Sequence, residues 1–224
     1  MKSRIMNKLW LPLLFGLFLF ASCSEDEETV VEFPNWQATN EQAFQEVMDY
    51  AKAETSSGNT DQWKVFLDWS LENQSANMGG FIEDYGDEYH IAVQVLEKGT
   101  GSGCPMYTDS VLVHYRGRLL PSASYEDGYV IGESYTGEFN EETAIPAKLA
   151  VDYQVDGLTT ALMQMHIGDR WLVYVPYQLG YGSTGGTSVP AYSMLVYDIK
   201  LVAYYRAGAI VPLSTSLEKS WIYE

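Results

Sequence analysis

The chain has 224 residues, 46% of them hydrophobic and 14% aromatic, with a net charge of −17. That apolar content supplies a core and excludes global disorder, and the length allows one or two domains. The negative charge repels nucleic acid and anionic lipid, so no nucleic-acid partner is expected.

Lys2, Arg4 and Lys8 precede the apolar run Leu9 to Phe20, which Ala21-Ser22-Cys23 closes. A basic start, a short apolar stretch and small residues at a cleavage point describe a signal peptide over residues 1–22. The run falls short of the ~20 residues that a spanning helix needs. A cysteine directly after the cleavage point resembles the lipidated cysteine of bacterial lipoproteins. That likeness implies a protein anchored through lipid on Cys23 to the outer membrane of the cell envelope, on its periplasmic face or at the cell surface. An ordinary signal peptide with an incidental cysteine is the alternative. Without Lys2, Arg4 and Lys8 the balance is 10 basic against 30 acidic residues, a net −20. With Cys23 acylated, Cys104 is the only thiol left and no intramolecular disulfide can form. It lies in the loop-like stretch Gly99-Thr-Gly-Ser-Gly-Cys-Pro105.

Residues 23–38 read as an acidic tether, with Ser24-Glu-Asp-Glu-Glu28 at its start and Pro34 within it. Residues 39–80 read as a helical segment of two short helices. In the first, Thr39 and Gln42 form a capping-box pattern, and Phe44, Val47, Met48 and Ala51 share one face. In the second, Thr60 is the N-cap, and Trp63, Phe66, Leu67 and Leu71 form the stripe. Helices this short need a surface to pack on. Their own domain is one candidate, and a homodimer through these N-terminal helices is the other.

From Tyr89 the apolar period changes to two. His90 to Leu96, Ser110 to Tyr115, Arg170 to Val175 and Met194 to Tyr204 read as strands. Pro121 to Gly128 is turn-rich, and Val155 to Met165 reads as a short helix with Gly168 beyond its end. The expected fold class is α+β, an antiparallel sheet wrapped around a short helix. It occupies residues 81–206, and residues 207–224 form a C-terminal extension.

Three motifs stand in order: Val111-Leu-Val-His-Tyr-Arg-Gly117, Gly157-Leu-Thr-Thr-Ala-Leu-Met-Gln-Met-His-Ile-Gly-Asp169 and Val173-Tyr-Val-Pro-Tyr-Gln-Leu-Gly-Tyr-Gly182. Val189-Pro190 and Leu195-Val-Tyr-Asp-Ile-Lys-Leu201 follow. Together they resemble the FK506-binding-protein family of peptidyl-prolyl cis-trans isomerases. The resemblance implies a prolyl-isomerase site that acts on proline-containing polypeptides and uses no cofactor and no metal. In that reading Tyr181 and the backbone N–H of Val155 hold peptide carbonyls, while Tyr115, Leu158, Val189 and Tyr197 wall the pocket. Ile131 and Ile145 fall at weaker substrate-binding positions.

The match has departures. Leu158 stands where the family often has tryptophan, Ile131 where it has phenylalanine, and Gly132 where it has aspartate. Less aromatic area favours a second reading, a peptide-binding or chaperone module with little catalysis. A third is that the long insertion Pro121 to Pro146, carrying Tyr125, Tyr129, Tyr135 and Phe139, fills its own cleft.

Rival signals are weaker. Gly180-Tyr-Gly-Ser-Thr-Gly185 is a literal G-x-G-x-x-G, but a strand rather than a helix comes after it. His90, His114 and His166 lack metal-ligand spacing. His114 adjoins Tyr115 on a strand and so points to the opposite face.

Overall fold

The computed structural model describes residues 31–72, 85–206 and 222. Helix α1 spans Trp36–Ser56, strand β1 Trp63–Leu67, β2 His90–Glu97, β3 Ser110–Arg118, β4 Val130–Glu133 and β5 Ala147–Ala150. Helix α2 (Asp156–Gln164), β6 (Arg170–Val175) and β7 (Leu195–Tyr205) complete the fold. The strands form one antiparallel sheet in the order β1-β2-β6-β7-β3-β4. The outer edge of β3 is shared: Ser110–Val113 pair with β5 and Arg116–Arg118 with β4. The fold is α+β, an antiparallel sheet wrapped around a short helix.

Alternation decides which face each side chain joins. Ile91, Val93, Val111, Val113, Trp171, Val173, Val175, Leu195, Ile199 and Leu201 point inward onto Leu158, Ala161, Leu162 and Met165 around α2. Each such buried side chain contributes about 1.5–3 kcal/mol. Gly157 sets how closely α2 approaches, because a Cβ there would meet a Val175 methyl carbon at 2.3 Å and Ile91 at 3.2 Å. Gly168, at φ 92°, ends the passage out of α2. Asp169 then locks that turn: its carboxylate accepts the N–H groups of Gly99 and His166, both at 2.7 Å. The Gly-Asp pair of the second motif is therefore a turn device.

The N-terminal segment departs from expectation in two ways. First, α1 starts at Trp36, before the capping pattern at Thr39. Asn35 takes the N-cap at φ 49° without a side-chain cap bond, and Thr39 N–H donates to the Asn35 carbonyl. Second, the helix expected around Thr60 to Leu71 is strand β1, paired with β2 from Trp63↔Gln94 to Leu67↔His90. The apolar spacing admits either element, and tertiary packing chooses. Trp63 and Val65 face α1 while Phe66, on the opposite face, stacks on Trp171 at 5.8 Å. A helix could not send neighbouring residues to both faces of a sheet.

The stripe Phe44, Met48 and Ala51 packs on the outer face of the same chain's sheet, against Trp63, Ala92 and Met194. Polar bonds fix its position. Trp36 Nε1 donates to Ser193 Oγ at 2.8 Å, and Asn40, 1% exposed, accepts the Met194 N–H at 2.8 Å. Phe44, Met48 and Ala51 are thus covered within the chain, while Val47 of the same stripe is half-buried.

The far half of the outer face is covered by the insertion. Arg116 lies over the Tyr135 ring at 4.5 Å, and Arg170 over Phe139 at 4.6 Å. Arg170 makes a paired contact to Asp198, and Lys200 binds Glu97 and Glu141. Tyr135 and Phe139 therefore lie on the face opposite α2, and not in a cleft on the inner face. His114 is buried against Phe139, with Glu141 and Lys200 nearby. Burial lowers its pKa, Lys200 adds to the lowering, and Glu141 opposes it.

A histidine whose folded pKa is depressed supplies stability above its unfolded pKa and loses it as pH falls toward the folded one. Unfolding free energy should therefore decline as pH drops from about 7 toward 5. A His114→Leu variant should lose most of that slope in denaturant titrations at several pH values. An unchanged slope would remove His114 as its source.

Candidate functional site

The inner face near the start of α2 gathers the residues that the motifs nominated. Leu158, Val189 and Tyr197 are buried members of one apolar cluster, and Tyr115, Ile131 and Val155 pack on it, half-buried. Tyr115 comes from β3 and Tyr197 from β7, both on the α2 side. Leu158 is 2% exposed. Ile145 is 79% exposed and does not join the cluster.

Two glycines explain how the aromatic walls fit. A Cβ at Gly117 would sit 2.6 Å from Tyr197 Cε1 and 3.1 Å from Ile131 Cγ1, so the last residue of the first motif makes room for both side chains. A Cβ at Gly132 would lie 3.2 Å from the Tyr115 hydroxyl oxygen. An acid at that position would reach the phenol, and the glycine leaves it without a carboxylate partner.

Tyr181 stands at the rim, 40% exposed, on the loop after the short turn Tyr177–Leu179. Gly182 at φ 65° and Gly185 at φ 71° bend the chain after it. Gly185 N–H donates to the Tyr181 carbonyl, and the Tyr181 ring rests over Gly186. The literal G-x-G-x-x-G is thus a turn that presents a tyrosine. Among the described residues neither the Tyr181 hydroxyl nor the Val155 N–H has a hydrogen-bond partner within the chain. Both belong to the rim of the same apolar cluster.

The electrostatics agree with the geometry. Burial raises the Tyr197 pKa far above the ordinary tyrosine range, with additions from Tyr181 and Tyr115. Burial also raises the Tyr115 pKa, followed by Tyr181 and Glu133. The phenols are therefore close enough to influence one another, and those of Tyr115 and Tyr197 stay protonated at neutral pH.

A family model described as FKBP-type peptidyl-prolyl cis-trans isomerase matches residues 101–202. Through this segment the chain is similar to that family. The FKBP-type segment is 34% identical over 119 residues to the macrophage infectivity potentiator of Trypanosoma cruzi, covering 53% of this chain and 55% of that protein. It is 31% identical over 116 residues to the FKBP-type 22 kDa peptidyl-prolyl cis-trans isomerase of Escherichia coli K12, covering 51% and 50%. The chain spans about half the length of these curated relatives. A solved peptidyl-prolyl cis-trans isomerase from Pseudomonas syringae pv. tomato is similar at 28% identity and a TM-score of 0.42, covering 52% of this chain and 76% of that one.

Sequence reasoning missed one part of the surroundings. A cleft of about 590 Å³ lies beside Val189, lined also by Glu32, Phe33, Ser124, Tyr125 and Tyr129. Glu32 and Phe33 fall in the stretch read as a tether. The pair Ser122 and Ser124 was the available signal, because alternate hydroxyls on a turn suit a carboxylate. Cys104 Sγ lies 3.8 Å from His166 Nε2, and burial and then Asp169 raise its thiol pKa, which favours the inert form.

Gly117→Ala should push Tyr197 and Ile131 out of register and lower unfolding free energy by about 1–3 kcal/mol. Chemical denaturation measures it, and a loss below about 0.5 kcal/mol would mean the wall yields freely.

Proposed function

We propose that the chain is a peptidyl-prolyl cis-trans isomerase of the cell envelope that assists the folding of exported proteins. The observation that carries this reading is the pair of unpartnered donors, the Tyr181 hydroxyl and the Val155 N–H, at the rim of a pocket floored by Leu158. Tyr115, Val189 and Tyr197 form its walls, and Ile131 adds to them. The reaction needs no nucleophile, metal or cofactor. Its barrier, about 18–20 kcal/mol, arises from amide conjugation, which twisting breaks. The planar amide is more polar than the twisted one, so moving it from water into an apolar pocket raises the ground state more than the transition state. The two donors then fix the flanking carbonyls while the ring rests on Leu158.

Leu158, Ile131 and Gly132 support the second reading, a peptide-binding module with weak catalysis. Each shrinks the aromatic platform or removes a polar group beside it.

Magnetisation-exchange NMR on X-Pro peptides separates the two. We expect accelerated exchange that falls roughly tenfold in Tyr181→Phe, the equivalent of about 1.4 kcal/mol of lost hydrogen bonding. Shifted peptide signals without acceleration would support the binding module. Neither effect would sink both readings.

The same proposal places the protein on the outer membrane through lipid on Cys23, on the periplasmic face or at the surface. The basic start, the apolar run and the cysteine at its end support it. Labelled fatty acid fed to cells should be incorporated into the wild-type chain and not into Cys23→Ser. Equal labelling of the two would exclude that residue as the anchor.

A further inference from the structure

The cleft beside the prolyl site has its own chemistry. The N-terminal segment crosses to the insertion there, and Glu32 is its clasp. Glu32 Oε1 accepts the Ser122 hydroxyl at 2.5 Å and the Ser124 N–H at 2.9 Å, and Oε2 accepts the Ser124 hydroxyl at 2.6 Å. The remaining walls are Phe33, Tyr125, Tyr129, Gly186, Thr187, Ser188, Val189 and Pro190. Among the described residues Glu32 is the one charged residue in this lining, and no basic side chain joins it.

We propose that this cleft is an accessory subsite that receives a basic side chain, lysine or arginine, adjoining the proline of the substrate. The proposal rests on the prolyl-site reading above. Two residues make the spaces continuous. Val189 belongs both to the apolar cluster around Leu158 and to the cleft. Gly186 lines the cleft and lies under the Tyr181 ring, since a Cβ there would be 3.1 Å from Tyr181 Cδ1. A peptide held at Tyr181 therefore has a neighbouring residue next to the cleft.

The occupant follows from the walls. The hydrogen bonds from Ser122 and then Ser124 hold Glu32 below the usual carboxylate range, so it is ionised at neutral pH. An ionised carboxylate offers about four acceptor positions. Three are used by the serines, which leaves one for an incoming ammonium or guanidinium. Tyr125 and Tyr129 stand edge to face at 5.0 Å and 76°. Rings of this kind accept the methylene stem of a long basic side chain and attract its charged head. An acidic side chain meets a like charge there. A neutral aliphatic one covers the carboxylate without pairing it.

The test uses the full chain and three peptide sets that differ only in lysine, glutamate or norleucine, placed directly before or directly after proline. Dissociation constants come from chemical-shift titration and exchange rates from the same samples. At one of the two positions lysine should bind roughly three- to fivefold more tightly than glutamate, the range of a solvent-exposed ion pair. The ratio should contract at about 0.5 M salt. In Glu32→Gln, whose side-chain oxygen can still accept from the serines, the ratio should fall close to one. Tyr125→Leu, at an exposed position, should lower the lysine-to-norleucine preference. Equal affinities for lysine and glutamate at both positions would overturn the subsite, as would a preference that persists in Glu32→Gln. If that variant unfolds, a salt-insensitive ratio together with an unchanged Tyr125→Leu overturns it. Absence of accelerated exchange on the norleucine peptides strikes the isomerase reading alone, because the affinity ratio is read without catalysis.

Discussion

Everything on the inner face depends on how closely α2 lies against the sheet, and that distance is set at Gly157. With no side chain there, the first turn of the helix reaches the methyl groups of Val175 and Ile91. The next residue, Leu158, is then buried in the cluster, and the N-cap position Val155 packs on it with an N–H that has no partner among the described residues. Gly117 plays the matching part on the strands by admitting the Tyr197 ring. Two absent methyl groups thus shape that cluster as much as any side chain within it.

The sheet separates two tasks by face. Inward residues build the core and the pocket. Outward residues receive α1 on one half and the aromatic insertion on the other, the latter through cation–ring contacts and ion pairs around Arg116, Arg170 and Lys200. Surface pairs of this kind are individually worth little. Their arrangement around half-buried rings keeps Tyr135 and Phe139 away from the inner face. The chain's own insertion therefore does not compete for the site through those residues.

Most of the domain was legible in sequence because its signals were local. The period-two runs marked β2, β3, β6 and β7, and the run Val155 to Met165 with Gly168 beyond its end marked α2. Motif order nominated six positions for a pocket. Tyr115, Leu158, Val189 and Tyr197 do share one cluster with Val155, and Tyr181 stands beside it. What failed depended on distant partners. Trp63, Phe66 and Leu67 fit a helical stripe equally well until β2 offers them an edge, and nothing local reveals that edge. Asn35 in a left-handed conformation hid the true start of α1, because the side-chain cap that sequence rules seek is not used there. Ile145, placed through a stretch without motifs, lies in solvent. Glu32 escaped notice because its serine partners are about ninety positions away in the chain.

The bond from Met194 to Asn40 joins residues 154 positions apart. It gives the order of synthesis a consequence. Chains grow at roughly 5–20 residues per second, so Asn40 is made about 8–30 s before Met194, its partner just ahead of the last strand, exists. Until then the face of Phe44, Met48 and Ala51 has only part of its native surface to meet, Trp63 and Ala92. A protein proposed to help other chains fold thus has a first helix that stays incompletely covered until the far end of its own sheet is made.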